Sequence, residues 1–165
     1  MKRLRVLLVL ASLVFVAVVT AQNTPASAPK VDGAGDFSGM YEFLQEGEFL
    51  QINLEEQGRV TGYISRFGDG ASDKGAFLTQ FLKAGTTDGT KVEFTTEPVH
   101  GTWFEFDGTV TRDAAKTPEQ QGQFVLAGKL TKLTKDQRNK TSGQSREVKL
   151  LSFPQDAGME PPKNE

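Results

Sequence analysis

The sequence has no cysteine and a single histidine, His100. Without cysteine there is no disulfide framework, no thiolate metal site, no Cys–His nucleophile and no lipid-modified N-terminal cysteine. One imidazole cannot build a His-rich metal centre. An excess of one charge is also missing. The formal net charge is −2, without the basic surplus that a general nucleic-acid binder carries. Proline is scarce where it would matter: of seven, only Pro98 and Pro118 fall between positions 36 and 153. Both stand in turn-like contexts, which leaves the rest free for uninterrupted strands. There is no Walker A loop, dinucleotide fingerprint, HExxH or G-x-S-x-G, so the sequence implies no cofactor.

What is present begins with an export leader. Lys2, Arg3 and Arg5 precede an apolar run from Val6 to Val19 broken only by Ser12. Val19-Thr20-Ala21 supplies short side chains for cleavage, with Ala26-Ser27-Ala28 as a second such place. The run to Ala21 is shorter than the roughly 20 residues that a bilayer span needs. The expectation is a signal peptide over 1–21, an exported protein in the periplasm or outside the cell, and no stable membrane anchor once it is cleaved. Loss of the three leader cations takes the charge from −2 to −5.

Residues 22–35 are small, polar and rich in Pro and Gly, and read as a flexible linker. From Pro154 to the end the chain is polar, with little to bury, and reads as a disordered tail. The folded unit is therefore 36–153. Within it the dominant pattern is period-2 alternation. Strands are expected over 37–44, 48–54, 59–67, 91–96, 102–111, 123–133 and 146–153. In the fifth of these, Phe104, Phe106 and Val110 share one face, opposite Trp103, Glu105 and Asp107. Phe77, Leu78, Phe81 and Leu82 fit a helical stripe or a strand apolar on both faces. The strand is preferred, because Thr86-Thr87-Asp88-Gly89 then makes a hairpin into the next one.

A unit of apolar-x-Gly-x-apolar occurs four times inside these strands, centred on Gly39, Gly62, Gly108 and Gly128. Period 2 places each glycine on the inner face with its apolar neighbours. There it admits a large facing side chain and lets the strand coil sharply, as a small closed barrel requires. The expected fold is all-β: an antiparallel up-and-down β-barrel of about eight strands, or seven strands plus one short helix.

Short antiparallel strands, inner-face glycines and hairpin links resemble the lipocalin- and avidin-like barrels. The stretch from Gly62-Tyr-Ile-Ser-Arg-Phe-Gly-Asp to Val99-His-Gly-Thr-Trp-Phe-Glu-Phe-Asp-Gly-Thr-Val also resembles a set of exported bacterial β-barrel proteins of unknown function. These resemblances imply a fold and a compartment but no activity. The avidin biotin-site pattern does not map residue by residue, and Gly39-Met-Tyr41 replaces the lipocalin Gly-x-Trp.

A small barrel's mouth is a natural cavity for a small apolar or amphipathic ligand. For it the sequence nominates Tyr41, Arg66, His100, Trp103 and Glu105, with no catalytic residue and no metal ligand. Arg66 continues the Val60/Gly62/Ile64 face, where it meets an anionic ligand group or pairs with Glu42 or Asp69. Asp69 and Asp73 lie in a Gly-rich loop without calcium-loop spacing. The acidic residues Glu42, Glu46, Glu48, Glu55 and Glu56 flank strand ends and read as hairpin tips in water. An alternative role is interaction through the outer surface around Trp103. An enzyme would need His100 paired with a carboxylate inside a cleft, and the sequence leans away from that.

Overall fold

The computed structural model describes residues 34–155; the leader, most of the linker and most of the tail read from the sequence lie outside them. Eight strands follow one another: β1 (Gly39–Glu42), β2 (Phe49–Leu54), β3 (Val60–Phe67), β4 (Phe77–Thr87), β5 (Lys91–Thr96), β6 (Thr102–Arg112), β7 (Phe124–Lys135) and β8 (Thr141–Leu151). Each pairs antiparallel with the next, in the order β1-β2-β3-β4-β5-β6-β7-β8. The up-and-down architecture is the one expected. The segment that fits helix or strand is strand β4. Its Phe77 and Phe81 face out, while Leu82 packs against the core.

The sheet curls until its ends meet. Tyr41 bridges Ser152, and Phe153 N donates to Met40 O at 2.7 Å. Closure is one-sided, because β1 has four residues and β8 eleven. The β1–β8 seam is joined near Leu151 and spreads apart toward Thr141. This gives the barrel a closed end, carrying the turns 55–59, 88–90 and 113–123, and an open end, carrying 43–48, 68–76, 97–101 and 136–140. Ala34 N donates to Gly89 O at 3.0 Å, and Gln155 N to Pro118 O at 2.8 Å. Both ends of the described chain thus dock at the closed end, and ordered contacts run slightly beyond 36–153. β8 starts five residues before the predicted strand, since Thr141–Ser145 is held by pairing with β7 and has no core-facing pattern.

The interior is apolar and filled toward the closed end. Phe37, Tyr41, Leu50, Ile52, Ile64, Val92, Phe104, Leu126 and Leu130 are all buried. Phe94 and Phe106 stack with centroids 5.1 Å apart. Gly108 and Gly128 face each other across β6 and β7, and a Cβ on Gly128 would lie 2.4 Å from Gly108 Cα. The two strands approach because neither position carries a side chain. Gly62 has φ +144°, and a Cβ there would stand 1.9 Å from Gln51 O. By contrast, Gly39 is not crowded: its nearest neighbour is Gln155 Nε2 at 3.8 Å.

Candidate functional site

The open end is organised by polar side chains on the inner face. Alternation along β3 carries the face of Val60, Gly62 and Ile64 on to Arg66, which is 3% exposed. Alternation along β2 carries the face of Leu50 and Ile52 back to Glu48, 4% exposed. Phe49 pairs with Ser65, so Glu48 and Arg66 are cross-strand neighbours one step beyond the last paired residues. On β4, Gln80 occupies the face between Leu78 and Leu82 and is fully buried.

These groups are tied together tightly but incompletely. Arg66 Nε donates to Gln80 Oε1 at 2.6 Å, and Arg66 Nη1 to Phe67 O at 3.0 Å. Gln80 Nε2 donates to Thr102 O at 2.9 Å and to Glu97 O at 3.2 Å, so one amide joins β3, β4 and the β5–β6 turn. The guanidinium lies 5.4 Å from the Phe104 ring centroid and 3.6 Å, through Nη1, from Asp69 Oδ1. Glu48 Oε1 accepts from Phe67 N at 2.9 Å. That leaves Glu48 Oε2 and Arg66 Nη2, both buried and both without a partner in the protein. An unpaired buried polar atom costs about 1–3 kcal/mol, more when charged, so two of opposite character on cross-strand neighbours call for a physical reason.

Both residues line a cavity of about 560 Å³ at the spread seam. One wall holds Leu44, Gln45 and Glu48, and the other Leu130, Gln144 and Arg146, with Phe104 below. Lys132 and Asp69 form an ion pair at the rim. The chemistry is therefore amphipathic: a Phe/Leu floor beneath one buried cation and one buried anion, each with a free valence.

The five residues nominated from the sequence are not gathered in one place. Arg66 lines this cavity. Tyr41 lies in the core beside the closed end of the seam, where its hydroxyl donates to Phe37 O at 2.6 Å. Burial, then the charge of Asp36, pushes that phenol well above its ordinary pKa. Trp103 and Glu105 face outward from β6, with the indole Nε1 3.4 Å from Glu105 Oε1. Glu105 borders a separate shallow groove on the exterior. His100 is at the tip of the Val99–Thr102 turn, where it and Gly101 have φ +49° and +75°. Two left-handed central residues in a two-residue hairpin link match the right-handed strand twist. Arg66 pairs with Asp69, whereas Glu42 is bound by Gln121.

His100 does meet a carboxylate. Its Nδ1 lies 3.0 Å from Asp73 Oδ2, and Asp73 Oδ1 accepts from Gly70 N at 2.8 Å. The imidazole is 53% exposed and Asp73 5%, so the pair latches loop 97–101 to loop 68–76 rather than sitting in a cleft. The hydrogen bond from His100 is the main cause that holds the Asp73 carboxyl below its usual range, with the Gly70 amide adding to it against a desolvation penalty. A carboxylate depressed on folding stabilises the fold above its unfolded pKa, about 3.9, and that help is lost as pH falls through the lower folded value. The stability gap between the wild type and Asp73→Asn, measured by urea unfolding, should therefore close as pH falls below about 4. A gap unchanged down to about pH 2 would contradict this. Asp69 is engaged by Arg66 and Lys132 and Asp73 by His100, and no group of three or more metal-ligating side chains occurs among the described residues.

Two residues prove central to the open end: Gln80, which the sequence did not nominate, and Glu48, which was expected at a hairpin tip in water but is buried because it continues the inner face of β2. The signal for Glu48 was a charge in register with Leu50 and Ile52.

No protein-family model matches the chain, and no curated protein matches it by sequence. Solved structures do match in shape. The rhizavidin–biotin complex superposes with a TM-score of 0.52 at 12% identity, covering 70% of this chain and 99% of that one. A second rhizavidin structure gives 0.51 at 11% identity, covering 71% and 82%. What is shared at that identity is the fold, an avidin-like run of eight antiparallel strands curled into a partly open barrel.

Proposed function

We propose that the protein is an exported carrier or sensor of a small amphipathic molecule, held at the open end of the barrel. The observation that carries this reading is the pair of unpartnered buried atoms, Glu48 Oε2 and Arg66 Nη2, on two residues that line one cavity. A head group with both a hydrogen-bond donor and an acceptor, such as a carboxamide, offers a partner to each once the side chains turn toward it. An apolar body then lies against Phe104, Leu130 and Leu44. The leader-like residues 1–21 support export. A structure of the same fold solved with biotin supports reading such a barrel as a ligand holder, although the head-group partners here are this chain's own.

The test is native mass spectrometry of the protein purified from its source, followed by thermal-shift titration with apolar-tailed amides and carboxylates, biotin among them. A bound mass or a rise in melting temperature with an amide is expected. Glu48→Gln retains an oxygen for Phe67 N but turns the unpaired acceptor into a donor. It should weaken binding about 10-fold or more, the worth of one charge-assisted hydrogen bond. Repeated preparations without an adduct, together with no response to any compound, would remove this reading.

A further inference from the structure

The outer surface of the barrel divides into two unlike halves. On β5–β8 the outward positions include Lys91, Glu93, Glu105, Asp107, Lys129, Glu147 and Lys149. Four of these, Glu93, Asp107, Lys129 and Glu147, form one cross-strand row. That half is built for water. On β2–β4 the outward positions include Phe49, Gln51 and Asn53, then Thr61, Tyr63, Ser65 and Phe67, then Phe77, Thr79 and Phe81. None of these carries a charge; the one cation on β4, Lys83, is exposed beyond Phe81 at the bulge.

The aromatic rings on this half form a continuous network. Centroid separations are 5.2 Å for Phe67–Phe77, 6.4 Å for Phe49–Phe77, 6.0 Å for Phe49–Tyr63 and 5.9 Å for Tyr63–Phe81. The rings pack in T-shaped or tilted pairs on the sheet, with Phe49 and Tyr63 half-buried and the Phe67, Phe77 and Phe81 rings exposed. Phe77 is 53% exposed and Phe81 63%. Phe67 and Met40 complete the exposed large apolar side chains among the described residues, and Met40 extends the row Gln51–Tyr63–Phe81 onto β1. Every such side chain thus falls on one face. Scattered exposed apolar residues need no explanation, but a contiguous aromatic face marks an interaction surface.

We infer that this face is the contact between two copies of the chain, stacked sheet on sheet. Three features select a second copy as occupant. Apart from Lys83 at its edge, the face offers no electrostatic handle to a charged partner, and its aromatic part matches itself without repulsion. A two-fold contact uses the same patch on both sides, so an aromatic patch supplies its own complement. Its size is also suitable. Strands about 4.8 Å apart and 20–25 Å long make a face of roughly 400 Å² in projection. Side-chain relief brings its accessible area toward the ~800 Å² per partner of a stable interface. With residues 1–21 removed, as the proposed export has it, the chain's own remaining segments fit less well, since 22–33 and 156–165 hold only Val31 and Met159 as large apolar residues.

The test is sedimentation equilibrium on the chain as expressed and processed. The wild type should sediment with the mass of two copies at about 10 µM. Phe77→Glu/Phe81→Glu should sediment as one copy with unchanged far-UV circular dichroism, and Phe81→Gln should weaken the pair at least 10-fold while retaining the fold. Thr131→Glu, on the charged half, should leave the two-copy mass intact. A single-copy wild type up to about 100 µM would overturn the inference, whether or not the face then binds phosphatidylcholine vesicles. A two-copy mass retained in both Phe variants would do the same.

Discussion

Gly62→Ala should lower the melting temperature by on the order of 15 °C, or prevent accumulation of the folded protein, a loss of about 3–5 kcal/mol. The added carbon would stand 1.9 Å from Gln51 O and 2.9 Å from its carbonyl carbon. Those are backbone atoms of a paired strand and cannot swing aside like a side chain. Overpacking of this kind costs about 1–3 kcal/mol or more, and holding Ala at φ +144° adds about 1–3 kcal/mol. The bend at Gly62 also starts the path of β3 toward the open end, where Arg66 must arrive on the inner face. Gly143→Ala is the matching control. It has no left-handed φ, and its nearest neighbour would be Leu133 Cδ2 at 3.4 Å, so its effect should stay within about 0.5 kcal/mol. Equal melting curves for the two variants would show that the close approach at Gly62 is not what the fold depends on.

Gln80→Leu should cost about 3 kcal/mol in urea unfolding, although Leu is close to Gln in size and more apolar. The reason is the number of groups served by one buried amide. Without it Arg66 Nε and the Glu97 carbonyl lose their partner, while the Thr102 carbonyl keeps only the Val99 amide. Each buried group left unpaired costs about 1–3 kcal/mol, and the gain from burying an apolar side chain offsets only part of that. The effect should also reach the cavity. Arg66 held by Gln80 is aimed at the space beside Glu48, whereas a freed guanidinium is drawn toward Asp69 at the rim. Ligand binding should therefore weaken in the same variant by more than its loss of stability requires. A change below about 1 kcal/mol would mean that the open end does not depend on this strut.

Much of the fold was legible because a half-buried strand announces its inner face. Phe104, Phe106 and Val110 were assignable from spacing alone, as was Trp103 on the opposite side. β4 was ambiguous for a physical reason: Phe77 and Phe81 form the outer aromatic face while Leu78 and Leu82 point in, so no polar side marks the period. The first half of β8 was invisible because Thr141–Ser145 is held by backbone pairing and hydroxyl hydrogen bonds to β7, with no buried apolar residue. The site was harder to read. Period 2 says which face a residue occupies but not which end of the barrel it lies near. Tyr41 and Arg66 share the inner surface, yet one is in the core by the closed end and the other at the opening. Glu48 was hidden among acidic neighbours at a turn that truly is solvated, and only its phase relative to Leu50 set it apart.

The one-sided seam has an orientational consequence. Ala34 and Gln155 both dock at the closed end, with Gln155 Nε2 donating to Ser38 O at 3.3 Å. The two ends of the fold are thus neighbours, diametrically opposed to the cavity. A tether, reporter or surface attached to either end leaves the opening pointing away from it, and a short link between the ends permits circular permutation with new termini at an exposed turn.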